Sequence, residues 1–139
     1  MKIDNSAIID ASVKIEHNVV IMSNVVLGQN ASLGSNVVIY PNTTIGAGTK
    51  ILDGSVIGRP PLATGAIERK ISDNLKELEI GDGCIVGTHA VLYAGSIIGS
   101  NVLISDLSSI REECVIGNNV VIGRSVIMNY NIVIGDRCR

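Results

Sequence analysis

The sequence predicts an all-β fold, a single parallel β-helix of six-residue repeats over residues 1–139, and three observations carry that expectation. A large aliphatic recurs at every sixth position: Ile3, Ile9, Ile15, Ile21, Leu27, Leu33, Ile39, Ile45, Ile51 and Ile57. After one break the series continues through Ile80, Val86, Leu92, Ile98, Ile104, Ile110, Ile116, Ile122, Met128 and Ile134. The residue four further on is usually small or β-branched, as at Val13, Val19, Ala31, Thr43, Ser55, Cys84, Ala90 and Ser108. Glycine often follows the aliphatic directly, as at Gly28, Gly46, Gly81, Gly99 and Gly117. A period of six fits neither the 3.6 of a helix nor the two of a half-buried strand.

The first coils run over residues 3–57. Three hexads close one triangular coil, so residues eighteen apart stack. Asn18, Asn24, Asn30, Asn36 and Asn42 lie three after their aliphatics, as do Gly48 and Gly54. Asn and Gly tolerate positive φ, so this ladder predicts a recurring left-handed residue at the corners.

The break, residues 59–79, inserts 17 residues beyond one hexad and holds eight of the 24 charged side chains. Pro60 and Pro61 cannot continue a central strand. The segment therefore reads as a loop leaving one corner, with a helical turn around Ile67 to Ile71. Its charge, and its lack of repeat residues to anchor it, predict that it protrudes and is the most mobile part of the chain.

Coils resume over residues 80–137. If they resume in order, one corner keeps glycine (Gly28, Gly46, Gly81, Gly99, Gly117, Gly135), and the loop-bearing corner collects Tyr40, Arg59, Tyr93, Arg111, Asn129 and Tyr130. All three tyrosines of the chain fall there, which points to a binding wall beside the loop. The third corner carries His89 and Asp106. His89 stands where Asn or Gly usually stands, so it is either a turn residue or, as a neutral imidazole, a proton acceptor. Asp106, 17 residues on, should lie almost above it and orient the imidazole. His17, in an early coil far from the loop, is no candidate. The chain ends inside a regular hexad without a polar cap, which predicts truncation at the C-terminus.

Composition narrows the function. Hydrophobic residues make up 46% of the chain, yet it has no Trp, no Phe and three Tyr, as a narrow prism filled by Ile and Val requires. A net charge of −2 without a basic patch argues against nucleic acid and anionic membranes. No apolar run reaches the ~18 residues of a membrane span. The first repeat starts at Ile3, leaving no room for a signal peptide, so a cytoplasmic location is expected. Cys84, Cys114 and Cys138 take the small inward position and read as buried thiols; their spacing suits neither a metal nor a redox pair.

A narrower likeness lies in VIGRPP (Val56 to Pro61), in IGDGCIVGTHAVLYAGSIIG (Ile80 to Gly99) and in IREECVIGNNVVIGRSVIMNYNIVIG (Ile110 to Gly135). With the repeat itself, these resemble the hexapeptide-repeat acyltransferase superfamily, in particular bacterial sugar and nucleotide-sugar acetyltransferases. The resemblance implies a left-handed coil and transfer of an acetyl group from acetyl-CoA to an amine or hydroxyl. It also implies a homotrimer with its sites in the clefts between prisms, the loop of one subunit helping to close a site. A His commonly serves such enzymes as general base, which would be His89 with Asp106 behind it. Arg59, Tyr93, Arg111, Asn129 and Tyr130 would contact acceptor or cofactor phosphate, and no metal is implied. A γ-class carbonic anhydrase would need three His ligands where this chain has two His, and an ice-binding solenoid would need flat Thr ladders. The remaining alternative is a non-catalytic scaffold solenoid, or a truncated and inactive transferase.

Overall fold

A computed structural model describes all 139 residues and contains no helix. Twenty short strands, from Lys2–Ile3 to Val133–Ile134, build a parallel β-solenoid whose three sheets have seven, seven and six strands. Sheet A begins with Lys2–Ile3, sheet B with Ile8–Ile9 and sheet C with Lys14–Ile15. Within sheet A, Ile3 pairs with Ile21, Ile21 with Ile39 and Ile39 with Ile57, a step of eighteen. Across the break Ile57 pairs with Leu92, Ile45 with Ile80 and Ile51 with Val86. The coil thus resumes in order after the loop, and the corner assignment made from the repeat holds.

Every sixth aliphatic points inward, and all but Ile3, Ile9, Ile15 and Ile134 are buried. Those four sit in the outermost coils, which have a neighbouring coil of this chain on one side only. Each fully buried Ile or Leu stabilises the prism by about 1.5–3 kcal/mol relative to exposure. The small inward position explains why polar side chains are admitted to so narrow a core. The hydroxyl of Ser55 donates to Gly87 O (2.7 Å), that of Thr49 to Gly81 O (2.8 Å) and that of Ser108 to Gly123 O (2.8 Å). Each is satisfied by a corner of a later coil, so its burial carries little penalty. The thiols of Cys84 and Cys114 do the same toward Gly99 O and Asn129 O, at 3.1 and 3.0 Å. Cys138 departs from expectation: it is exposed, because no further coil of this chain covers it.

The corners carry the expected left-handed residues. Positive φ recurs every six residues, from Asn18 (56°) through His89 (55°) to Arg137 (59°). At the corner from sheet B to sheet C, glycine is required for a different reason. A Cβ on Gly81 would lie 2.6 Å from Gly99 O and 2.7 Å from its carbonyl carbon, so the collision is with backbone and cannot be relieved by a rotamer. Gly81→Ala should therefore cost about 1–3 kcal/mol, whereas Gly135→Ala, which meets nothing within 4 Å, should stay within about 0.5 kcal/mol of the parent. Thermal melts of the two variants check this; equal melting temperatures would contradict the packing.

From Ile85 onward the outward rows of sheets B and C are apolar without interruption, while sheet A carries Val91, Ser109 and Ile127, the last 82% exposed. In the C-terminal half, Ile97, Val115 and Val133 project from sheet B and Ile85, Leu103 and Val121 from sheet C, each at least 37% exposed. Both rows flank the tight glycine corner.

The loop leaves the corner from sheet A to sheet B. Its departure strand, Val56–Arg59, is lengthened to four residues, with Gly58 at φ 82° and a register shift between Ile57 and Arg59. The chain returns through Leu78, which is fully buried in the inward position two before Ile80 and whose carbonyl accepts Thr44 N–H at 3.0 Å. No helical turn forms at Ile67 to Ile71. Instead a tight turn closes from Ile67 N–H to Thr64 O (3.1 Å), since so short a segment cannot repay the cost of helix nucleation. Residues 62–68 are exposed, as expected of a projection. The rest folds back: the side chain of Leu75 lies against Gly95, and Leu78 supplies the anchor that the repeat pattern did not reveal.

Candidate functional site

The edge between sheets A and B becomes a cationic and aromatic column just after the loop departs. Arg59, Tyr93 and Arg111 come from three successive coils. The two guanidiniums lie 5.2 and 4.8 Å from the Tyr93 ring centroid, within cation–π range. Arg111 is fixed from its other side by Glu112, whose Oε1 accepts from Arg111 Nε at 2.9 Å. Glu112 Oε2 accepts from Arg69 Nη2 at 2.7 Å. Arg69 belongs to the loop and stacks 3.7 Å from the Tyr130 ring centroid. The Glu112 side chain is 3% exposed. Burial alone would raise its pKa, but the hydrogen bonds from Arg69 and Arg111 outweigh that and hold the carboxyl below its ordinary range. Arg59 has no carboxylate within ion-pairing distance and keeps its charge available at the root of the loop. Asn129 is exposed at the top of the column and its Oδ1 accepts Tyr130 N–H at 3.0 Å.

On the opposite flank of the loop, toward the N-terminus, lies an open cleft of about 410 Å³. Tyr40, Pro41, Asn42, Gly58, Pro60 and Pro61 form one wall, and the segment Ile71 to Glu77 contributes most of the other.

His89 and Asp106 stand on the next edge of the prism, between sheets C and A. His89 is exposed, and its N–H donates to Asp53 O at 3.0 Å, closing the corner in the same way as its Asn equivalents. Its ring lies over Gly54, the equivalent residue one coil earlier, where a side chain on residue 54 would collide with the imidazole. Asp106 Oδ1 accepts Thr88 N–H at 2.9 Å. That bond belongs to a ladder: Asp53 takes Ser35 N–H at 2.7 Å, Asp82 takes Ala47 N–H at 2.8 Å and Asp136 takes Asn118 N–H at 2.8 Å. Asp106 thus holds the turn that carries His89 through its backbone, and no hydrogen bond joins it to the ring. The structure brings Arg59, Tyr93, Arg111, Asn129 and Tyr130 onto one edge and places His89 and Asp106 on another, with sheet A between them.

Two residues of the column escaped sequence reasoning, Arg69 and Glu112. A signal for Glu112 existed: two after Ile110 it is the one carboxylate at a position of the loop-bearing corner where the other coils carry Asn5, Ser23, Pro41, Arg59, Ala94 and Tyr130. Arg69 belongs to no repeat and meets a partner 43 residues away, a pairing that no local pattern encodes.

Residues 24–59, six consecutive hexads, match the family described as bacterial transferase hexapeptide (six repeats). Among curated proteins none matches the chain. Among solved structures, a point variant of perosamine N-acetyltransferase from Caulobacter crescentus, in complex with CoA and GDP-perosamine, superposes with TM-score 0.63 at 18% identity, over 96% of this chain and 49% of that one. A hexapeptide transferase family protein from Anaplasma phagocytophilum gives TM-score 0.68 at 17% identity, over 97% of this chain and 69% of that one. UDP-N-acetylglucosamine acyltransferase from Bacteroides fragilis gives TM-score 0.67 at 26% identity, over 94% and 54%. The hexapeptide solenoid thus shares its fold with these proteins and spans about half the length of the first and third. No helix in it is long and apolar enough to cross a membrane.

Proposed function

We propose that the chain is the solenoid of an acyltransferase that moves an acetyl group from acetyl-CoA to an amine or hydroxyl of a sugar or nucleotide-sugar, and that it works as a homotrimer. The observation that carries this reading is the placement of the apolar rows. In the C-terminal half they run uninterrupted over sheets B and C on both sides of the glycine corner, whereas Ser109 interrupts the row of sheet A between Val91 and Ile127, so burying the continuous rows turns that corner toward a threefold axis, with sheet B of one copy against sheet C of the next. The outer end of each such contact then joins the loop edge of one copy to the His89 edge of its neighbour. Both edges are at the same height, since the His89 corner and Tyr93 lie in one coil. The separation of the two edges within one chain is what a shared site requires.

In that cleft His89 accepts the proton of the attacking amine or hydroxyl, and Asp106 acts on it through the Thr88–His89 turn. Arg59, Tyr93 and Arg111, with Asn129 and Tyr130 above them, hold the phosphates of the cofactor or of a nucleotide-sugar; a guanidinium suits a phosphate better than an ammonium does, because it presents paired donors. The cofactor supplies the thioester, and the chain supplies position, charge and a base. The GDP-perosamine and CoA complex of the Caulobacter crescentus structure supports this substrate class. A cytoplasmic location agrees with a supply of acetyl-CoA.

The test uses two variants, His89→Asn and Arg59→Ala, each expected to be nearly inactive alone. Unfolded and refolded together, they should recover about a quarter of wild-type activity, the fraction of contacts in a random trimer that pair an intact Arg59 edge with an intact His89 edge. Recovery of nothing would refute the shared site. If acetyl-CoA fails to raise the melting temperature of the wild-type protein, the scaffold reading replaces the enzyme.

A further inference from the structure

We propose that Arg69 and Glu112 form an electrostatic latch that straps the loop onto the C-terminal coils and thereby sets one wall of the cleft at its root. Three observations converge on it. Glu112 is the only carboxylate of the column, it is almost fully buried, and it is shared between the prism's own Arg111 and the loop's Arg69. Arg69 reaches it across a separation of 43 residues and covers the Tyr130 ring as well, so one loop side chain is held by two coils beyond the loop's exit. The cleft-lining segment Ile71 to Glu77 begins two residues after Arg69.

Each part of the latch has its own physical reason. A buried carboxylate facing one arginine is already costly to leave half-satisfied, and Glu112 has one oxygen, Oε2, on which Arg69 makes the shorter contact, at 2.7 Å against 3.4 Å from Arg111 Nη2. The loop around Arg69 offers little else. Residues 62–68 and Lys70 are exposed, so without Arg69 residues 62–74 keep only Ile71 half-covered. A segment so weakly packed opens at low cost. When it opens, the wall formed by Ser72, Asp73 and Lys76 swings away from Tyr40 and Asn42, and the cleft ceases to exist as a bounded site. Arg69 and Glu112 are therefore positioning residues: they touch no ligand and decide whether the cleft has a shape.

Limited trypsin digestion of the intact chain reads this without any substrate, so the outcome is independent of the transferase assignment. Lys70 and Lys76 are exposed loop sites, while Lys14 and Lys50 lie in strands and report on the prism. In Arg69→Gln and in Glu112→Gln, cleavage after Lys70 and Lys76 should accelerate about fivefold or more, with the prism uncut, because cleavage follows the population of the open form. The double variant should be no faster than the faster single one, as expected of two residues acting through one bond. Equal loop cleavage in wild type and both singles, with unchanged circular dichroism, would overturn the latch. If Glu112→Gln fails to fold, Arg69→Gln decides alone, because Arg69 lies outside the prism.

Discussion

Replacing Ile45 by Asp should abolish the cooperative thermal transition. Ile45 lies in the strand Thr44–Ile45, stacked between Leu27 in the coil before and Ile80 in the coil after, and is 1% exposed. Loss of the aliphatic side chain alone costs about 2–5 kcal/mol in a core that cannot collapse around the hole. The carboxylate adds the penalty of an unpartnered buried charge, since the polar atoms nearby are already committed within their own turns and ladders. Together these reach into the about 5–15 kcal/mol that stabilises a typical domain. Ile8→Asp, on the same sheet but facing outward at 67% exposure, should melt within a few degrees of the parent. Circular dichroism against temperature separates the two. A cooperative melt for Ile45→Asp within about 5 °C of wild type would show that the row does not pack inward.

The largest effect on chemistry is expected from His89→Asn. The substitution keeps the turn, because Asn holds the same left-handed corner at Asn18, Asn24 and Asn101, with φ between 56° and 58°. The melting temperature should therefore not move. It removes the imidazole proposed to accept the proton, so kcat for acetyl transfer should fall by about 10²–10⁴-fold while binding of acetyl-CoA is retained. Asp106→Asn is the informative companion. Asn118 already accepts Ser100 N–H at 2.9 Å in the equivalent rung, so an amide can keep the Thr88 bond. If Asp106 works through the turn, that variant should retain most of its activity; a loss as deep as that of His89→Asn would mean that its charge acts on the imidazole. Wild-type kcat in His89→Asn would reduce His89 to a turn residue.

The repeat alone determined the prism. A six-residue period with an inward aliphatic, a small second residue and an Asn or Gly corner leaves one way to bury the apolar row, coil upon coil. The corner assignment followed even across the loop, because Ile45 and Ile80, or Ile57 and Leu92, must stack once the coil resumes in phase. Those constraints are local and periodic, so sequence carries them in full. Only the tertiary structure decided how the loop lies. Leu78 returns it to the core, and Arg69 ties it to Glu112, through contacts that no period encodes because the partners are far apart in sequence and single in number. The same holds for the edges. Sequence assigned His89 and the tyrosines to different corners, and the structure sets sheet A between those two edges within one chain. Outward residues are free of the packing that fixes inward ones, so the six-residue period does not dictate which of them are apolar.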